Sequence, residues 1–399
     1  MTTMPTTVRV AALDTFACTY GTDRERMSFL YVRITADDGT VGWGEVCDSY
    51  GCSYAGVLAH LIDEVFAPLV VGHELPGSGG EVDLLSDRMR LFTRRRLGDA
   101  WVAAQARSGV EIALWDLAGR AAGRSLADLL GRTTERVEVY ASCGFLEEGP
   151  AEHHFEVLRP LLERGIRKVK VRTGPEWRSD LDTLRKLQSM LGAGIELMVD
   201  ASETYTLPTA RALAGALTEF DVRWIEEPLP QGERAGIEAL VAHSPVPVAY
   251  GEHLFGLDEA LDAMRRRQLD VLQPDAATAG GITEARKMAA AAAAFGVRVV
   301  PHVCSGPVAL AANLHVAASV PGIRLIEYPP TLLPVWETFG TGAALGLDAL
   351  DDGHLPVPTT PGLGVAIDPA AAAAHPYQPP GARVAGTTTG LPDRFVGDR

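Results

Sequence analysis

The sequence predicts an α/β protein built around a closed barrel of parallel strands. After Gly131, short β-branched or apolar segments alternate with helical stretches over roughly 190 residues. A titratable residue ends almost every such segment, and these residues recur at intervals of 23 to 30 positions, the length of one strand and one helix. Regular alternation of this kind is typical of a parallel sheet, and eight units are enough to close it. The predicted strands are residues 137–140, 168–171, 197–199, 222–225, 246–249, 271–273, 297–300 and 325–326.

A separate α+β domain is predicted over residues 1–132. Residues 28–35 alternate between apolar and polar side chains, and turn formers join them to a second strand at 41–46, which indicates a β-hairpin. Residues 103–122 then carry an apolar stripe at helical spacing. A mixed domain of sheet and helix is therefore expected to precede a barrel over residues 133–330.

Residues beyond the last predicted strand are rich in proline and glycine, most clearly at 356–364. We expect residues 331–380 to pack back on the first domain. Residues 381–399 have no hydrophobic period and many turn formers, which predicts a flexible tail.

The composition argues against several classes of partner. The 399 residues include 36 basic and 51 acidic side chains, and the resulting charge of −15 favours neither nucleic acid nor a membrane surface as a partner. The five cysteines are odd in number and fit neither a disulfide framework nor a zinc site. We find no apolar segment of spanning length and expect a soluble, cytoplasmic protein.

Seven ionisable residues mark the carboxyl ends of the predicted strands, and we call them the rim residues. A parallel barrel gathers these ends at one mouth, where barrel enzymes place their active sites, so the seven side chains are expected to converge. The rim residues are Lys170, Asp200, Glu226, Glu252, Asp275, His302 and Glu327.

Three rim residues on successive strands predict a divalent metal site. Asp200, Glu226 and Glu252 would repel one another at neutral pH unless a cation lay between them. A ligand set made only of oxygen suits Mg²⁺, with Mn²⁺ as the alternative, better than zinc. Glu227 is not expected to be a ligand, because strand alternation points its side chain to the opposite face.

An acid–base pair is predicted on the next two strands. A carboxylate that binds one imidazole nitrogen fixes the tautomer and raises the basicity of the other nitrogen, so Asp275 would make His302 a general base. His253 directly follows Glu252. It is a candidate for substrate contact, with a structural loop histidine as the alternative.

The second strand contributes cations and the last strand an acid. Alternation places Lys170 and Arg172 on the same face, inside the barrel mouth. Cations there would stabilise the negative charge that develops when an enolate forms. Glu327 would donate a hydrogen bond to a substrate carboxylate if its pKa were raised, and a structural ion pair is the alternative.

With these residues in place, the chain resembles the mandelate racemase subgroup of the enolase superfamily from residue 8 to residue 368. Beyond the rim, the resemblance includes the Glu-Ile-Ala-Leu-Trp-Asp-Leu-Ala-Gly-Arg segment at 111–120, Leu-Leu-Gly at 129–131 and Pro-Gly-Leu-Gly at 361–364. It implies a (β/α)₇β modified TIM barrel under an α+β capping domain that the C-terminal segment completes. It also implies a homo-oligomer assembled through the capping domain.

The resemblance further implies a chemistry in which a small hydroxy acid or sugar acid is held through its carboxylate while an enediolate forms. Loops at 18–26 and 45–53 would select the distal part of the substrate. The implied residues are Asp200, Glu226 and Glu252 for Mg²⁺, Lys170 and Glu327 for the carboxylate, and His302 with Asp275 for the α-proton.

Three positions depart from the family pattern. Arg172 stands where the family has a second lysine that acts as a base, and arginine stays protonated, which weakens a racemase with two bases. Ser202 replaces an asparagine that contacts substrate, so it remains a candidate for substrate binding. Ala277 replaces the lysine of muconate-cycloisomerase-like members, which argues against a cycloisomerase or a dipeptide epimerase.

The leading hypothesis is an acid-sugar dehydratase, in which His302 removes the α-proton and returns it to the departing β-hydroxyl group. The product would be a 2-keto-3-deoxy acid. One alternative is a racemase or epimerase of a hydroxy acid or sugar acid. The other is an acid-binding relative that has lost turnover.

Overall fold

The computed structural model describes residues 7–21, 26–98 and 101–379, so the predicted tail at 381–399 lies outside the described residues. The first domain contains an antiparallel sheet of four strands: β1 Thr7–Tyr20, β2 Met27–Ala36, β3 Val41–Val46 and β4 Glu74–Pro76. The spatial order of the strands is β3-β2-β1-β4. The predicted hairpin is the β2–β3 pair, with Leu30 opposite Val46 and Thr35 opposite Val41.

A long buried helix covers this sheet. It spans Trp101–Ala121, close to the predicted 103–122, and every residue from Ala103 to Gly119 is buried. It lies so close to β3 that a Cβ atom at Gly44 would be 1.8 Å from the carbonyl oxygen of Gly109, so glycine is needed at position 44. The helices of this domain are α1 Ala55–Leu61, α2 Ala67–Val70, α3 Gly80–Leu97, α4 Trp101–Ala121 and α5 Leu126–Leu130, with a π-helical turn at Ile62–Phe66 between α1 and α2.

The second domain is a barrel of eight parallel strands and seven intervening helices, which is the predicted (β/α)₇β arrangement. Each predicted segment overlaps one of the strands, although most of the strands extend beyond the predicted bounds. The strands are β5 Arg136–Phe145, β6 Lys168–Arg172, β7 Glu196–Asp200, β8 Ile225–Glu226, β9 Val248–Tyr250, β10 Val271–Leu272, β11 Arg298–Val299 and β12 Leu325–Tyr328. The helices are α6 Ala151–Glu163, α7 Trp177–Leu191, α8 Leu207–Ala216, α9 Arg234–Val241, α10 Leu257–Arg265, α11 Ile282–Phe295 and α12 Pro307–Ser319.

Alternation along the strands builds the barrel interior in layers. The sheet runs in the order β11-β10-β9-β8-β7-β6-β5-β12, and the Glu327 amide donates to the Pro301 carbonyl (3.2 Å) between its two ends. A small apolar cluster fills the interior below the mouth. Four of its seven members lie two positions before a rim residue, as in Met198 below Asp200 and Trp224 below Glu226, because side chains two apart share a face. The cluster consists of Tyr140, Met198, Trp224, Ala249, Val271, Val300 and Leu325.

The C-terminal segment contacts both domains. As expected, it returns to the capping domain, where the Thr19 amide donates to the His375 carbonyl (2.9 Å). It also extends the barrel sheet, since its middle strand pairs antiparallel with β5, which the sequence did not indicate. Its elements are α13 Leu333–Phe339, β13 Gly340–Gly342, β14 His354–Pro356, β15 Val365–Ile367 and α14 Pro369–Ala374.

The five cysteines are buried free thiols. Among the helices of the described residues, none combines the length and the apolar character that crossing a membrane requires.

His315 on α12 joins three parts of the fold and is predicted to make stability depend on pH. Its Nδ1 atom accepts from the Ala127 amide (3.0 Å), and its Nε2 atom pairs with the Leu363 carbonyl (3.0 Å). Burial lowers the pKa of His315 to about 4. Because the unfolded chain binds this proton below about pH 6.5 and the folded chain does not, stability is lost as the pH falls from 6.5 toward 4.

A His315→Gln variant keeps one donor and one acceptor but does not titrate. Between pH 7 and pH 4, we expect the free energy of unfolding of the wild type to fall by roughly 3 kcal/mol more than that of the variant. Urea unfolding across this range measures both. Parallel pH curves for the two proteins would contradict the prediction.

Candidate active site

All seven rim residues are buried together at the carboxyl ends of the barrel strands. Glu252 is the most accessible of them and still exposes only 8% of its surface. The distances below connect each of the seven to at least one other rim residue. The structure thus places the predicted set at one mouth.

Lys170 lies at the centre of this set. Its Nζ atom is 2.8 Å from Glu327 Oε1, is 3.5 Å from Asp200 Oδ2 and contacts Glu226 Oε1 directly. Burial disfavours the ammonium form, but the neighbouring carboxylates outweigh burial and raise the pKa of Lys170 well above its usual value. Lys170 is therefore a permanent cation on the floor of the mouth.

Arg172 is directed at Asp200. Its Nε atom donates to Asp200 Oδ2 (3.0 Å), and its Nη1 atom donates to the Cys143 carbonyl (3.4 Å). The other oxygen of Asp200 accepts from the amide (2.8 Å) and the hydroxyl (3.1 Å) of Ser202. Arg172 and Ser202 both depart from the family pattern, and both bind Asp200, the first of the three predicted metal ligands.

Glu226 is a buried carboxyl group at the mouth, and its pKa is raised mainly by burial. Its Oε2 atom accepts from Trp224 Nε1 (3.0 Å) and Gln273 Nε2 (2.7 Å). Despite the contact with Lys170, burial raises the pKa of Glu226 to about 7, and nearby carboxylates add to the effect. Lys170 contacts two of the three predicted ligands, Asp200 and Glu226. In the part of the chain that the structure describes, the three residues Asp200, Glu226 and Glu252 do not form a group whose ligand atoms all lie within 4.8 Å of one another, so the magnesium site stays a prediction.

The two residues of the predicted dyad are joined by a hydrogen bond. His302 Nδ1 and Asp275 Oδ2 are 2.9 Å apart, and His302 Nε2 faces Glu252 Oε2 at 3.4 Å. Burial disfavours the imidazolium, but Glu252 and Glu327 outweigh burial and raise the pKa of His302 to about 10. Asn313 on α12, which the sequence did not single out, donates to Asp275 Oδ1 (2.7 Å) and orients the dyad.

Glu327 could donate a hydrogen bond to a substrate carboxylate only if its pKa were raised, but in this structure its pKa is lowered. Burial opposes ionisation, but Lys170, His302 and Arg172 outweigh burial and lower the pKa of Glu327 to about 2. Its Oε2 atom accepts from the Val303 amide (3.0 Å). In this arrangement Glu327 is a carboxylate paired with Lys170, which corresponds to the structural ion pair that the sequence left open as the alternative.

Glu227 lies on the mouth side, contrary to the prediction from alternation. Its backbone φ of +38° breaks the strand geometry, and the side chain is buried with its Oε1 atom 3.0 Å from His253 Nδ1. Glu203 Oε1 is 3.7 Å from the same nitrogen. Ligand atoms of these three residues all lie within 4.8 Å of one another, and we call Glu203, Glu227 and His253 the acid–histidine cluster.

The acid–histidine cluster borders the predicted metal site. His253 Nε2 is 3.9 Å from Glu252 Oε1, so the histidine stands between the cluster and the third predicted ligand. Three carboxylates hold His253 here, and its assignment to substrate binding stays a prediction. Position 253 was notable in sequence only because it follows Glu252, whereas no signal in the sequence indicated Glu203.

The predicted loop at 45–53 reaches the dyad. The Cys47 amide donates to the Ala277 carbonyl (3.0 Å), and the Gly51 amide donates to the Cys304 carbonyl (2.8 Å). Each acceptor lies two residues after a member of the dyad. The other predicted loop, at 18–26, includes residues 22–25, which lie outside the described residues.

Comparison with known families agrees with this architecture. Residues 4–131 match the mandelate racemase/muconate lactonizing enzyme N-terminal domain, and residues 156–371 match the enolase C-terminal domain-like family. The fold and the two matches define an enzyme of the enolase superfamily. The chain belongs to its mandelate racemase/muconate lactonizing enzyme family, which confirms the resemblance read from the rim residues.

Similar proteins include dehydratases and cycloisomerases of sugar acids. The chain is 30% identical to the arabinonate dehydratase of Saccharolobus solfataricus over an alignment of 351 positions that covers 86% of this chain and 88% of the relative. It is 30% identical to the D-galactarolactone cycloisomerase of Agrobacterium fabrum, with 86% and 90% covered. The structure of L-talarate dehydratase from Polaromonas sp. JS666, complexed with Mg and L-glucarate, matches with a TM-score of 0.78 at 28% identity, covering 92% of this chain and 97% of that one.

These relatives include cycloisomerases, the reaction class against which the sequence argued. Ala277 argued against a cycloisomerase, yet a sugar-lactone cycloisomerase is as similar to this chain as a dehydratase is. The comparisons therefore support an enzyme without separating lyase from isomerase, and sugar acids or their lactones are the substrates named for these relatives.

Proposed function

We propose that this protein is a Mg²⁺-dependent dehydratase that converts a sugar acid into a 2-keto-3-deoxy acid. The observation that carries the proposal is the asymmetry of the mouth. One side has the hydrogen-bonded dyad of His302 and Asp275, while the other side has Arg172 bound to Asp200. A guanidinium that stays protonated cannot serve as the second base that inversion at the α-carbon by two bases requires.

A single histidine is sufficient for dehydration. A cation bound by Glu252 would offset the negative charge that raises the pKa of His302. The neutral imidazole would then take the α-proton on Nε2, while Asp275 keeps Nδ1 protonated and stabilises the imidazolium. His302 then returns that proton to the β-hydroxyl group, which leaves as water. The resulting enol tautomerises to the 2-keto acid, with one proton gained at the β-carbon and one lost from the enol hydroxyl group, so no oxidant or reductant is consumed.

The remaining rim residues stabilise charge. Bound Mg²⁺, held by Asp200, Glu226 and Glu252, would supply a Lewis acid for the substrate carboxylate. Lys170 places a buried ammonium where the same carboxylate gains negative charge as the α-proton leaves. Mg in the related L-talarate dehydratase structure supports this choice of metal.

A cycloisomerase of a sugar lactone is the second candidate. It is favoured by the 30% identity with D-galactarolactone cycloisomerase, and it also begins with removal of a proton next to a carbonyl group. An epimerase is disfavoured by Arg172, for the reason given above.

The experiment is an assay of arabinonate, xylonate, galactonate and galactarate with Mg²⁺, with galactarolactone as the cycloisomerase substrate. We expect at least one open-chain acid to give a 2-keto product, detected as its semicarbazone, and a chelator to prevent it. Recovered substrate in D₂O should keep its α-configuration in the ¹H spectrum. Inversion without a keto product, or turnover of the lactone alone, would contradict the dehydratase.

A further inference from the structure

Glu45 belongs to the capping domain, but its side chain binds groups of the barrel. It lies at the carboxyl end of β3 and is fully buried. Its Oε1 atom accepts from the Ser305 hydroxyl (2.7 Å) and from the Gly306 amide, and its Oε2 atom accepts from the Ala309 amide (2.9 Å). The carboxylate thus has no contact with solvent and binds only groups of the barrel.

These donors form the amino terminus of α12. The N-cap residue of that helix is Gly306, which has no side chain to accept from the free amides. Glu45 supplies the missing acceptor from another domain, and a negative charge is favourable at a helix amino terminus. α12 is therefore anchored to the capping domain at its first turn.

The anchored helix supports both members of the dyad. Asn313, two turns further along α12, donates to Asp275 Oδ1 (2.7 Å). At its amino terminus, the helix follows His302 after only a short segment, residues 303–306. A shift of the α12 amino terminus would therefore move the imidazole and the carboxylate that orients it.

The same region holds the loop that follows Glu45. We call residues 47–52 the capping loop, and its Cys47 and Gly51 amides donate to Ala277 and Cys304. The capping loop is thus fixed to the barrel beside the segment that Glu45 anchors. Loop, helix and dyad share one network of hydrogen bonds.

We propose that Glu45 is a positioning residue that locks the capping loop onto the segments following Asp275 and His302, so that docking of the capping domain fixes the general base. The catalytic part of this inference rests on the proposed role of His302. The structural part does not, because it concerns only loop and helix.

Glu111 provides a matched control. It is equally buried in the capping domain, and it too accepts from the amino terminus of a barrel helix, through the amides of Ile282 (2.7 Å) and Thr283 (2.9 Å). Burial raises the pKa of both glutamates to about 7. Glu111, however, makes no hydrogen bond to the capping loop or to residues 302–306 among its described contacts.

The test compares Glu45→Gln with Glu111→Gln by amide hydrogen exchange of the Mg²⁺-loaded protein without substrate. Glutamine retains the size but turns an NH₂ group toward one helix amide. In Glu45→Gln, we expect about tenfold faster exchange in peptides covering residues 47–52 and 303–309. Those peptides should exchange at the wild-type rate in Glu111→Gln. Wild-type protection in Glu45→Gln, or equal loss in both variants, would overturn the proposal.

A milder variant covers the case in which Glu45→Gln does not fold. Ser305→Ala removes one donor to Glu45 and should loosen the same two peptides to a smaller extent. With any acid that the wild type dehydrates, Glu45→Gln and Ser305→Ala should lower kcat more than they raise KM. Faster exchange in these peptides with unchanged kcat would support the role of Glu45 in holding the capping loop on the barrel. It would overturn the claim that this contact positions His302. Absence of dehydration in the wild type would bear on the proposed function alone.

Discussion

Replacing His302 by asparagine is expected to abolish exchange of the substrate α-proton, with a loss of at least about 10³-fold. The imidazole is oriented through Nδ1 by the Asp275 carboxylate, at 2.9 Å, and its Nε2 atom faces the predicted metal ligand Glu252 at 3.4 Å. Loss of the signal of the α-proton in D₂O, followed by ¹H NMR, measures the exchange. Mg²⁺ binding by the variant should remain within a few fold of wild type, because no predicted ligand is removed.

His253→Gln is the matched control for this prediction. His253 lies at the same mouth, but its Nδ1 atom is paired with Glu227 rather than with Asp275. Its replacement should leave exchange within about tenfold of wild type. If His253→Gln lost exchange and His302→Asn retained it, the general base would have to be reassigned to the acid–histidine cluster.

The second large effect is expected from Asp200→Asn, which should weaken Mg²⁺ binding about 100-fold or more and remove dehydration with it. The substitution takes one of three carboxylates from the predicted site and leaves Glu226 and Glu252 in place. Arg172 and Lys170 then face one fewer negative charge, which further disfavours a cation. Isothermal titration with Mg²⁺ measures the affinity, and the assay of keto acid measures the activity.

Glu203→Gln distinguishes the two acidic groups at the mouth. Glu203 belongs to the acid–histidine cluster, whose ligand atoms all lie within 4.8 Å of one another. If the metal is held by Asp200, Glu226 and Glu252, then Glu203→Gln should bind Mg²⁺ within a few fold of wild type. A larger loss of affinity in Glu203→Gln than in Asp200→Asn would move the metal site to the cluster.

The barrel fold and the identity of the seven rim residues could be predicted from the sequence alone. Hydrophobic alternation and the interval between titratable residues are local properties of the sequence. The structure contains the eight strands that they predict, and side chains two positions apart, such as Met198 and Asp200, lie on the same face. A side chain at the end of a parallel strand has only one mouth to enter, so the convergence of seven residues followed from the fold class. The family resemblance depended on the same positions and was correct for the same reason.

Only the tertiary structure decided how these groups are charged and which residues hold them. The ionisation of Glu327 depends on its distances to Lys170 and Arg172 on β6 and to His302 after β11. Glu45 became part of the site through contacts 260 to 264 residues away in the chain. Electrostatic shifts and long-range hydrogen bonds depend on distances in space, which no local period of the sequence encodes.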